Sequence, residues 1–141
     1  MPEPEQIAIV VGEWVTKAEN DLLAAAHTLT LGEDCPADTV CFHAQQCVEK
    51  YLKAFLVLKA IYFPKTHDIE KVVALLPAGI SVSLKTEEQR RLTAHATELR
   101  YPGDYSPVTL AEARQSVAIA RRIRREVRRL LPRGALRRKR K

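Results

Sequence analysis

Four polar residues in the second quarter of the chain stand at a spacing that places them on one side of a helix. His43, Gln46, Lys50 and Lys53 occupy positions i, i+3, i+7 and i+10, which share a face at the period of an α-helix. Amide and ammonium groups presented together can hold a phosphate or a carboxylate. The alternative is a solvated surface on which Glu49 pairs with Lys53 at i, i+4. Periodicity alone favours the solvated surface, because amphipathic helices present such faces to water.

A second candidate is the segment from Arg100 to Tyr105, which contains Pro102 and therefore interrupts a helix. Arg100 offers a forked donor to an anion, and the next helix adds the free backbone N–H groups of its N-terminus. The rings of Tyr101 and Tyr105 can stack on a nucleobase. The alternative is a structural turn in which Arg100 caps the preceding helix and both rings cover the core. The residue pattern leaves both interpretations open.

Basic residues are concentrated at the C-terminal end. The formal net charge is +6, but residues 121–141 carry 12 Lys/Arg against one acid, whereas residues 1–120 carry 11 Lys/Arg against 16 Asp/Glu. Such a segment favours binding of a polyanion through its phosphates, without sequence specificity. The alternative is a solvated helix face followed by a solubilising tail. The candidate contacts to a nucleic-acid backbone are Arg121, Arg122, Arg124, Arg125, Arg128 and Arg129.

The other reactive side chains form no recognised catalytic or metal-binding pattern. Asp68 stands in the first turn of a predicted helix, where the helix dipole favours it, and His67 is interpreted as a hydrogen-bonded structural residue. Arg90 and His95 are five residues apart and point to different sides of a helix. The chain has three cysteines but no CxxC pair, Gly-rich phosphate loop, Ser/His/Asp order or HExxH motif. We therefore expect no metal and no cofactor.

The elements that position these residues are helices. Thr66 is a predicted N-cap, and Thr86 with Gln89 and Thr109 with Glu112 are predicted capping boxes. The chain is therefore predicted to be an all-α protein, an antiparallel up-and-down bundle of four to five helices. Residues 1–131 form the predicted bundle, and residues 132–141 a basic tail that we expect to be disordered. Apolar residues at helical spacing predict helices over residues 5–31, 37–60, 67–76, 87–99 and 110–131.

The sequence also indicates a compartment. The N-terminus, Met1-Pro2-Glu3-Pro4-Glu5, lacks the basic and apolar regions of a signal peptide. No apolar run approaches the length of a membrane span. The odd number of cysteines suits a reducing compartment, in which thiols stay free. We therefore expect a cytoplasmic protein that does not contact a membrane.

Several of these segments together resemble the HEPN family (higher eukaryotes and prokaryotes nucleotide-binding). The resemblance extends from about Trp14 to Leu131, and the basic tail lies outside it. Its most specific parts are the segment around His43 and the Arg-Tyr-Pro at residues 100–102. The matching segments are Trp14-x3-Ala18-x2-Asp21-Leu22, Phe42-His43-Ala44-Gln45-Gln46-Cys47-Val48-Glu49-Lys50-Tyr51-Leu52-Lys53-Ala54, Thr66-His67-Asp68-Ile69 and Leu99-Arg100-Tyr101-Pro102.

The resemblance implies a four- to five-helix bundle that pairs as a homodimer. Prokaryotic members are often encoded beside a minimal nucleotidyltransferase, with which they form a toxin–antitoxin or substrate-binding pair. Many members are metal-independent ribonucleases with an Arg-x4–6-His motif at the start of the last helix. Arg100 stands at the place of that arginine, but Tyr105 or a near neighbour stands at the place of the histidine, and no histidine follows Arg100.

The resemblance therefore implies a nucleotide- or RNA-binding subunit that acts with a minimal nucleotidyltransferase, and it argues against a self-sufficient enzyme. One alternative is a metal-independent ribonuclease toxin with Arg100 and Tyr105 as its catalytic candidates. Another is a structural dimerisation module with a vestigial site. The candidate nucleotide- or anion-binding residues are His43, Gln46, Lys50, Lys53, His67, Arg100, Tyr101, Asp104 and Tyr105.

Overall fold

The computed structural model describes residues 3–97, 102 and 107–136, and these residues contain helices and no strand. The predicted all-α class is confirmed. A one-turn 3-10 helix over Gly32–Asp34 joins the first two long helices. The α-helices of the described residues are α1 (Pro4–Leu29), α2 (Ala37–Leu58), α3 (Ile69–Ala74), α4 (Thr86–Ala96), α5 (Leu110–Arg128) and α6 (Arg133–Leu136).

The core lies between α1, α2 and α5, whose apolar residues recur every three or four positions. This spacing makes a continuous stripe along each helix, and stripes of this kind pack together in antiparallel bundles. Each Val, Leu, Ile or Phe side chain removed from water in this way contributes about 1.5–3 kcal/mol. The stripe of α1 contains Val11, Val15, Ala18, Leu22 and Ala25, and that of α5 contains Ala113, Val117, Ala120, Ile123 and Val127.

Helix α2 is the central helix, because its side chains are buried on almost every side. Helix α1 packs along it, and α5, α4 and α3 contact its other faces. Polar residues of α2 are buried together with the apolar ones, among them Gln45, Glu49 and Lys53. The favoured interpretation of a solvated polar face on this helix is therefore wrong. Periodicity identified the helix, but it did not show that α1 and the segment before α3 would cover its polar side.

Two predicted helix starts differ from the structure. The N-cap of α3 is Asp68, whose carboxylate accepts from the backbone N–H of Lys71 at 3.2 Å, and not Thr66. Helix α4 begins at Thr86 itself, and the Glu88 carboxylate accepts from the backbone N–H of Lys85 at 2.9 Å. In both places the acidic side chain holds the free N–H group, because a charged acceptor bonds more strongly than a hydroxyl.

The start of α5 agrees with its predicted cap. The Thr109 hydroxyl accepts from the backbone N–H of Glu112 at 3.1 Å. The Glu112 side chain, however, does not close the predicted capping box and instead bonds Arg91 on α4. Helices α4 and α5 are thereby joined at this point.

The C-terminal end of the bundle extends beyond the predicted boundary at residue 131. Residues Arg133–Leu136 form α6, which packs against α1 and buries Ala135. At this contact the backbone oxygen of Ala135 comes so close to α1 that a Cβ added to Gly12 would lie 3.2 Å from it. The first residues of the predicted tail therefore belong to the bundle, while residues 137–141 lie outside the described residues.

Among the helices of the described residues, none combines the length and the apolar character needed to cross a membrane.

Candidate functional site

The polar side of α2 is organised around two carboxylates, and the first is Asp21 of α1. One of its oxygens lies 2.9 Å from Nδ1 of His43, and the other accepts from the Lys50 ammonium at 2.6 Å. His43 and Lys50 are seven residues apart on α2, so both project towards the same point of α1. Asp21 is nearly buried between them, with 12% of its side chain exposed.

The second carboxylate is Glu49 of α2, which is almost fully buried. It accepts from the Lys53 ammonium at 3.0 Å and from the Gln45 amide at 3.2 Å. It also lies 2.8 Å from Nδ1 of His67, in the segment that leads into α3. The Lys53 ammonium makes a second bond, of 2.8 Å, to the backbone oxygen of Thr66.

Gln46 stands between the two clusters. Its amide nitrogen donates to the side-chain oxygen of Gln45 at 2.7 Å and lies 3.4 Å from Nδ1 of His67. The structure therefore brings together five of the candidate residues from the sequence, namely His43, Gln46, Lys50, Lys53 and His67, and adds two carboxylates that carry most of their contacts.

Sequence reasoning assigned neither carboxylate to the site. Glu49 had been paired with Lys53 only as a surface contact, and Asp21 appeared only within the segments that resemble a known family. The spacing within α2 could not reveal Asp21, because Asp21 lies on α1. Its partners His43 and Lys50 are 22 and 29 residues away in sequence.

The accessibility of the candidate residues differs. Lys53 is buried, and its ammonium is occupied by Glu49 and by a backbone oxygen, so it does not reach the surface to meet a ligand. His67, in contrast, is accessible to solvent. Its side chain is 56% exposed, although its Nδ1 is bonded to the buried carboxylate of Glu49. His43 is intermediate, with 32% exposed.

The chain has four histidines, and the other two differ from this pair. His27 lies exposed near the end of α1. His95 is buried on α4 with both ring nitrogens free of hydrogen bonds, and burial lowers its pKa to about 4. Arg90 and His95 point apart, as predicted, because Arg90 is an exposed partner of Glu70. No group of three or more His, Cys, Asp or Glu side chains suited to a metal occurs within the described part of the chain.

Glu19 of α1 joins three helices. Its carboxylate accepts from the Tyr51 hydroxyl on α2 and from Arg124 and Arg128 on α5, at 2.7 and 2.9 Å for the two arginines. Burial alone would raise the pKa of Glu19, but these hydrogen bonds and the two positive charges hold it below its ordinary value. Burial and the neighbouring Glu19 raise the pKa of the Tyr51 hydroxyl, which therefore stays protonated.

The arginines of α5 divide into two groups. Arg124 and Arg128 are paired with Glu19, and Arg122 donates to Glu88 at 2.9 Å and to the backbone oxygen of Ser83 at 2.6 Å. These three therefore join helices. The arginines that are exposed and make no ion pair with any described residue are Arg114, Arg121, Arg125 and Arg129.

These four arginines form one row, which we call the α5 arginine row. They stand at i, i+7, i+11 and i+15, so they follow a single face of the helix. The row extends over about 22 Å at the rise of an α-helix. The sequence indicated Arg121, Arg125 and Arg129 but not Arg114, because Arg114 stands seven residues before the dense run of arginines and joins the others only on the helical face.

A cleft of about 380 Å³ lies between α1 and α5 beside this row. Arg121 and Arg125 line one wall, and Leu23 lies on the opposite helix with 66% of its surface exposed. The cleft thus combines an apolar surface with two arginines that form no ion pair with any described residue. Its lining is completed by Glu19, Asn20, Leu22, Ala26 and Arg124.

The loop that the sequence proposed as an anion site cannot be placed against these features. Arg100, Tyr101, Asp104 and Tyr105 lie outside the described residues.

Comparison with known proteins gives matches over most of the chain. A family model described as the HEPN domain matches residues 11–130. No curated protein matches the chain. The solved structure of TT1696 from Thermus thermophilus is similar at 26% identity with a TM-score of 0.72, covering 87% of this chain and 99% of that one. The structure of ST0689, an archaeal HEPN homologue, is similar at 26% identity with a TM-score of 0.66, covering 86% of this chain and 98% of that one.

Proposed function

Because this chain belongs to the HEPN family, with the domain matched over residues 11–130, we propose that it is a nucleotide- or RNA-binding subunit. In this proposal it acts as a homodimer in the cytoplasm, together with a minimal nucleotidyltransferase, in a toxin–antitoxin or substrate-binding role. The segment from Arg100 to Tyr105 also belongs to the proposed binding surface. Arg100 would bind a phosphate there, and the rings of Tyr101 and Tyr105 would stack on a base.

The observation that carries the proposal is the α5 arginine row. Exposed arginines aligned on one helix face without carboxylate partners create a positive potential that attracts an anion. A length of about 22 Å matches about six phosphates of one strand, which are spaced ~3.4 Å apart along a duplex. Guanidinium groups bind phosphates through paired hydrogen bonds, so the row suits a nucleic-acid backbone.

The cleft beside the row supports contact with a nucleotide unit. A phosphate on Arg121 and Arg125 would leave the sugar and base beside Leu23 of α1. An apolar surface of this kind favours a base without reading its sequence, because every base has an apolar face. The proposed recognition in the cleft therefore depends on phosphate charge and on apolar contact with Leu23, and not on hydrogen bonds to base edges.

The binding test compares two double variants of equal charge change. We expect Arg121→Gln/Arg125→Gln to weaken binding of a fluorescein-labelled single-stranded RNA, measured by anisotropy, by at least about 10-fold at low salt. Lys71→Gln/Lys85→Gln is the matched control, since both lysines are exposed and form no ion pair with the described residues. Equal affinities of the two double variants would contradict the proposal.

A competition experiment distinguishes a single nucleotide from an extended RNA backbone as the ligand. If the site takes a single nucleotide, ATP should displace the labelled RNA at concentrations well below those of tripolyphosphate, which has the same number of phosphates and no base. If it takes only an extended backbone, ATP and tripolyphosphate should compete equally weakly, because counterion release scales with the number of phosphates bound.

The partner is tested in the native host. Co-purification with the chain, followed by mass spectrometry, should recover a minimal nucleotidyltransferase and a bound nucleotide or RNA. Recovery of the chain alone, under conditions that preserve other complexes, would contradict this part of the proposal. The cytoplasmic location is supported by Cys35, Cys41 and Cys47, which are free cysteines.

A further inference from the structure

The carboxylate of Glu19 uses only one of its two oxygens to join the helices. The Tyr51 hydroxyl, Nε of Arg124 and Nη1 of Arg128 all donate to Oε1, the two arginines at 2.7 and 2.9 Å. Oε2 accepts no hydrogen bond from any described residue. Since an ionised carboxylate has about four acceptor positions on its two oxygens, those on Oε2 remain open to a donor from another molecule.

This carboxylate lies at the cleft between α1 and α5. Glu19 belongs to the lining of the cleft, and 29% of its side chain is exposed. Leu23 is one turn further along α1, so the two side chains are neighbours on one face of the helix. The cleft volume of about 380 Å³ falls within the range of small-molecule sites, ~300–1,000 Å³. A carboxylate with an open oxygen therefore lines the same cleft in which a nucleotide unit is proposed to bind.

The contacts of Glu19 fix both its charge and its position. Burial opposes ionisation, but hydrogen bonds from Tyr51 and Arg124, together with the charges of Arg124 and Arg128, hold the pKa of Glu19 below its ordinary value. At neutral pH the group is thus ionised and can only accept hydrogen bonds. Three donors on one oxygen also restrain the side chain, so a bond to the other oxygen needs little rearrangement.

The charge balance of the cleft favours a phosphate despite this carboxylate. Of the charged residues in the lining, Arg121, Arg124 and Arg125 are positive and Glu19 is negative, which gives a net charge of +2. A phosphate is therefore attracted to the cleft as a whole. An ionised carboxylate cannot bond a phosphate, however, and instead suits a part of the ligand that donates a hydrogen bond.

The sugar is the part of a nucleotide that fits this position. It joins the phosphate, proposed to bind Arg121 and Arg125, to the base, proposed to lie beside Leu23. Because the 3′-oxygen within an RNA strand is esterified, the 2′-hydroxyl is the donor that the sugar offers. Carboxylates also bind the ribose 2′-hydroxyl in dinucleotide-binding proteins.

We propose that Oε2 of Glu19 accepts a hydrogen bond from the 2′-hydroxyl of a ribonucleotide unit in the cleft, and that Glu19 thereby selects RNA over DNA. This inference rests on the proposed function, since it requires that the cleft bind a nucleotide unit. It goes beyond that function, because phosphate charge and apolar contact do not distinguish ribose from deoxyribose.

The first experiment changes the ligand and leaves the protein as it is. Fluorescein-labelled single strands of one sequence, with uracil in each, carry 2′-hydroxyl, 2′-fluoro or 2′-deoxy sugars and are titrated with the full chain. All three have the same phosphates, and the 2′-fluoro strand keeps the sugar conformation of RNA without the donor. We expect RNA to bind about 10-fold or more tightly than either of the others, as one hydrogen bond to a charged group provides.

The second experiment changes the carboxylate. Methionine has a similar length to glutamate and only a weakly accepting thioether, so Glu19→Met should reduce the preference for RNA over the 2′-fluoro strand to within about 2-fold. Glu88→Met is the matched control. Glu88 also accepts from an arginine of α5, Arg122, but does not line this cleft, so its variant should keep the wild-type preference. Both variants lose one negative charge and should bind every strand more tightly, so the measured quantity is the ratio of affinities.

Folding of the Glu19 variants is followed by thermal unfolding, because Glu19 joins three helices. If Glu19→Met is unfolded at the assay temperature, Glu19→Gln replaces it, since glutamine keeps an oxygen for the two arginines. This variant should also lower the preference for RNA, because a neutral side chain bonds the hydroxyl more weakly than a charged one.

Two outcomes would overturn the inference and leave the proposed function intact. The first is equal affinity of wild type for the RNA and 2′-fluoro strands, which would show that the hydroxyl is not bound. The second is a preference for RNA that the Glu19 variants retain in full, which would place recognition of the hydroxyl elsewhere. Failure of wild type to bind any of the strands would instead overturn the proposed function, and this inference with it.

Discussion

Glu49 and Lys53, one turn apart on α2, form an ion pair of 3.0 Å in which both side chains are buried. The Lys53 ammonium also lies 5.9 Å from the ring centre of Trp14 and 5.5 Å from that of Phe63, which contact each other edge to face. An ammonium over aromatic faces gains a further attraction where water is excluded. The pair therefore fastens α1 and the segment before α3 to the central helix.

The first prediction concerns this pair. Lys53→Met should destabilise the fold by about 3–5 kcal/mol, because it leaves the Glu49 carboxylate buried without its cation. Urea unfolding at pH 7 measures the change. Lys50→Met is the control, since Lys50 is partly exposed and should cost clearly less. The double variant Lys53→Met/Glu49→Gln should recover part of the loss, and no recovery would argue against the charge as the cause.

The second prediction concerns Glu19, which joins α1 to α2 and α5. Glu19→Gln should cost about 1–3 kcal/mol at pH 7, since Tyr51 and two arginines lose a charged acceptor. The pKa of Glu19 is held below its ordinary value of 4.5, so its contribution is complete above that pH and is lost as the pH falls through the lowered value. The difference in unfolding free energy between the two proteins, measured in urea, should be smaller at pH 3 than at pH 7. Glu13→Gln, on an exposed position of α1, should match wild type throughout.

The third prediction concerns His95, whose ring is buried in its neutral form. Its pKa is lowered from 6.5 to about 4 by burial, with Arg91 acting in the same direction and Glu112 opposing it. The unfolded chain takes up the proton first, so stability should decline as the pH falls from 6.5 to about 4, by at most about 3 kcal/mol. His95→Leu should flatten this decline, because it removes the group that titrates. A decline of the same size in the variant would assign the effect to another residue.

The fourth prediction concerns the C-terminal end. Ending the chain after Leu136 removes five cations and leaves α6 in place, so the melting temperature should not change. The slope of log affinity against log salt for RNA should decrease, because fewer counterions are released. Ending the chain after Leu131 should also lower the melting temperature, since it exposes the surface of α1 at Gly12. If the chain that ends after Leu136 has the same slope as wild type, residues 137–141 do not take part in RNA binding.

The fifth prediction concerns assembly. We expect a homodimer at concentrations on the order of tens of micromolar, well within the range in which a stable interface is occupied. Large apolar side chains remain exposed on the chain, and a second copy would cover them. Light scattering coupled to size-exclusion chromatography measures the mass, and a value near 15.9 kDa would contradict the prediction. Apart from Leu23 at the cleft, the exposed large apolar side chains in the described residues are Ile9, Val10, Leu31, Tyr62 and Leu130.

Much of the fold follows from the sequence alone. The long helices are predicted to within a few residues of their bounds, because their apolar residues repeat at the helical period over four turns or more. Residues 5–31 were expected for α1, and the structure has Pro4–Leu29. The short α6 was missed, since four residues carry too little periodicity to stand out beside Pro132 and Gly134.

The polar contacts depend on tertiary structure. The sequence grouped His43 with Lys50 and Gln46 with Lys53, because positions within one helix follow its period. It could not bring Asp21 to His43, or His67 to Glu49, since each contact joins segments whose relative placement is decided by packing. The same holds for the arginines of α5. In the sequence, six of these arginines resembled one basic patch. The positions of Glu19 and Glu88 on neighbouring helices decide which arginines form ion pairs and which remain available to bind an anion.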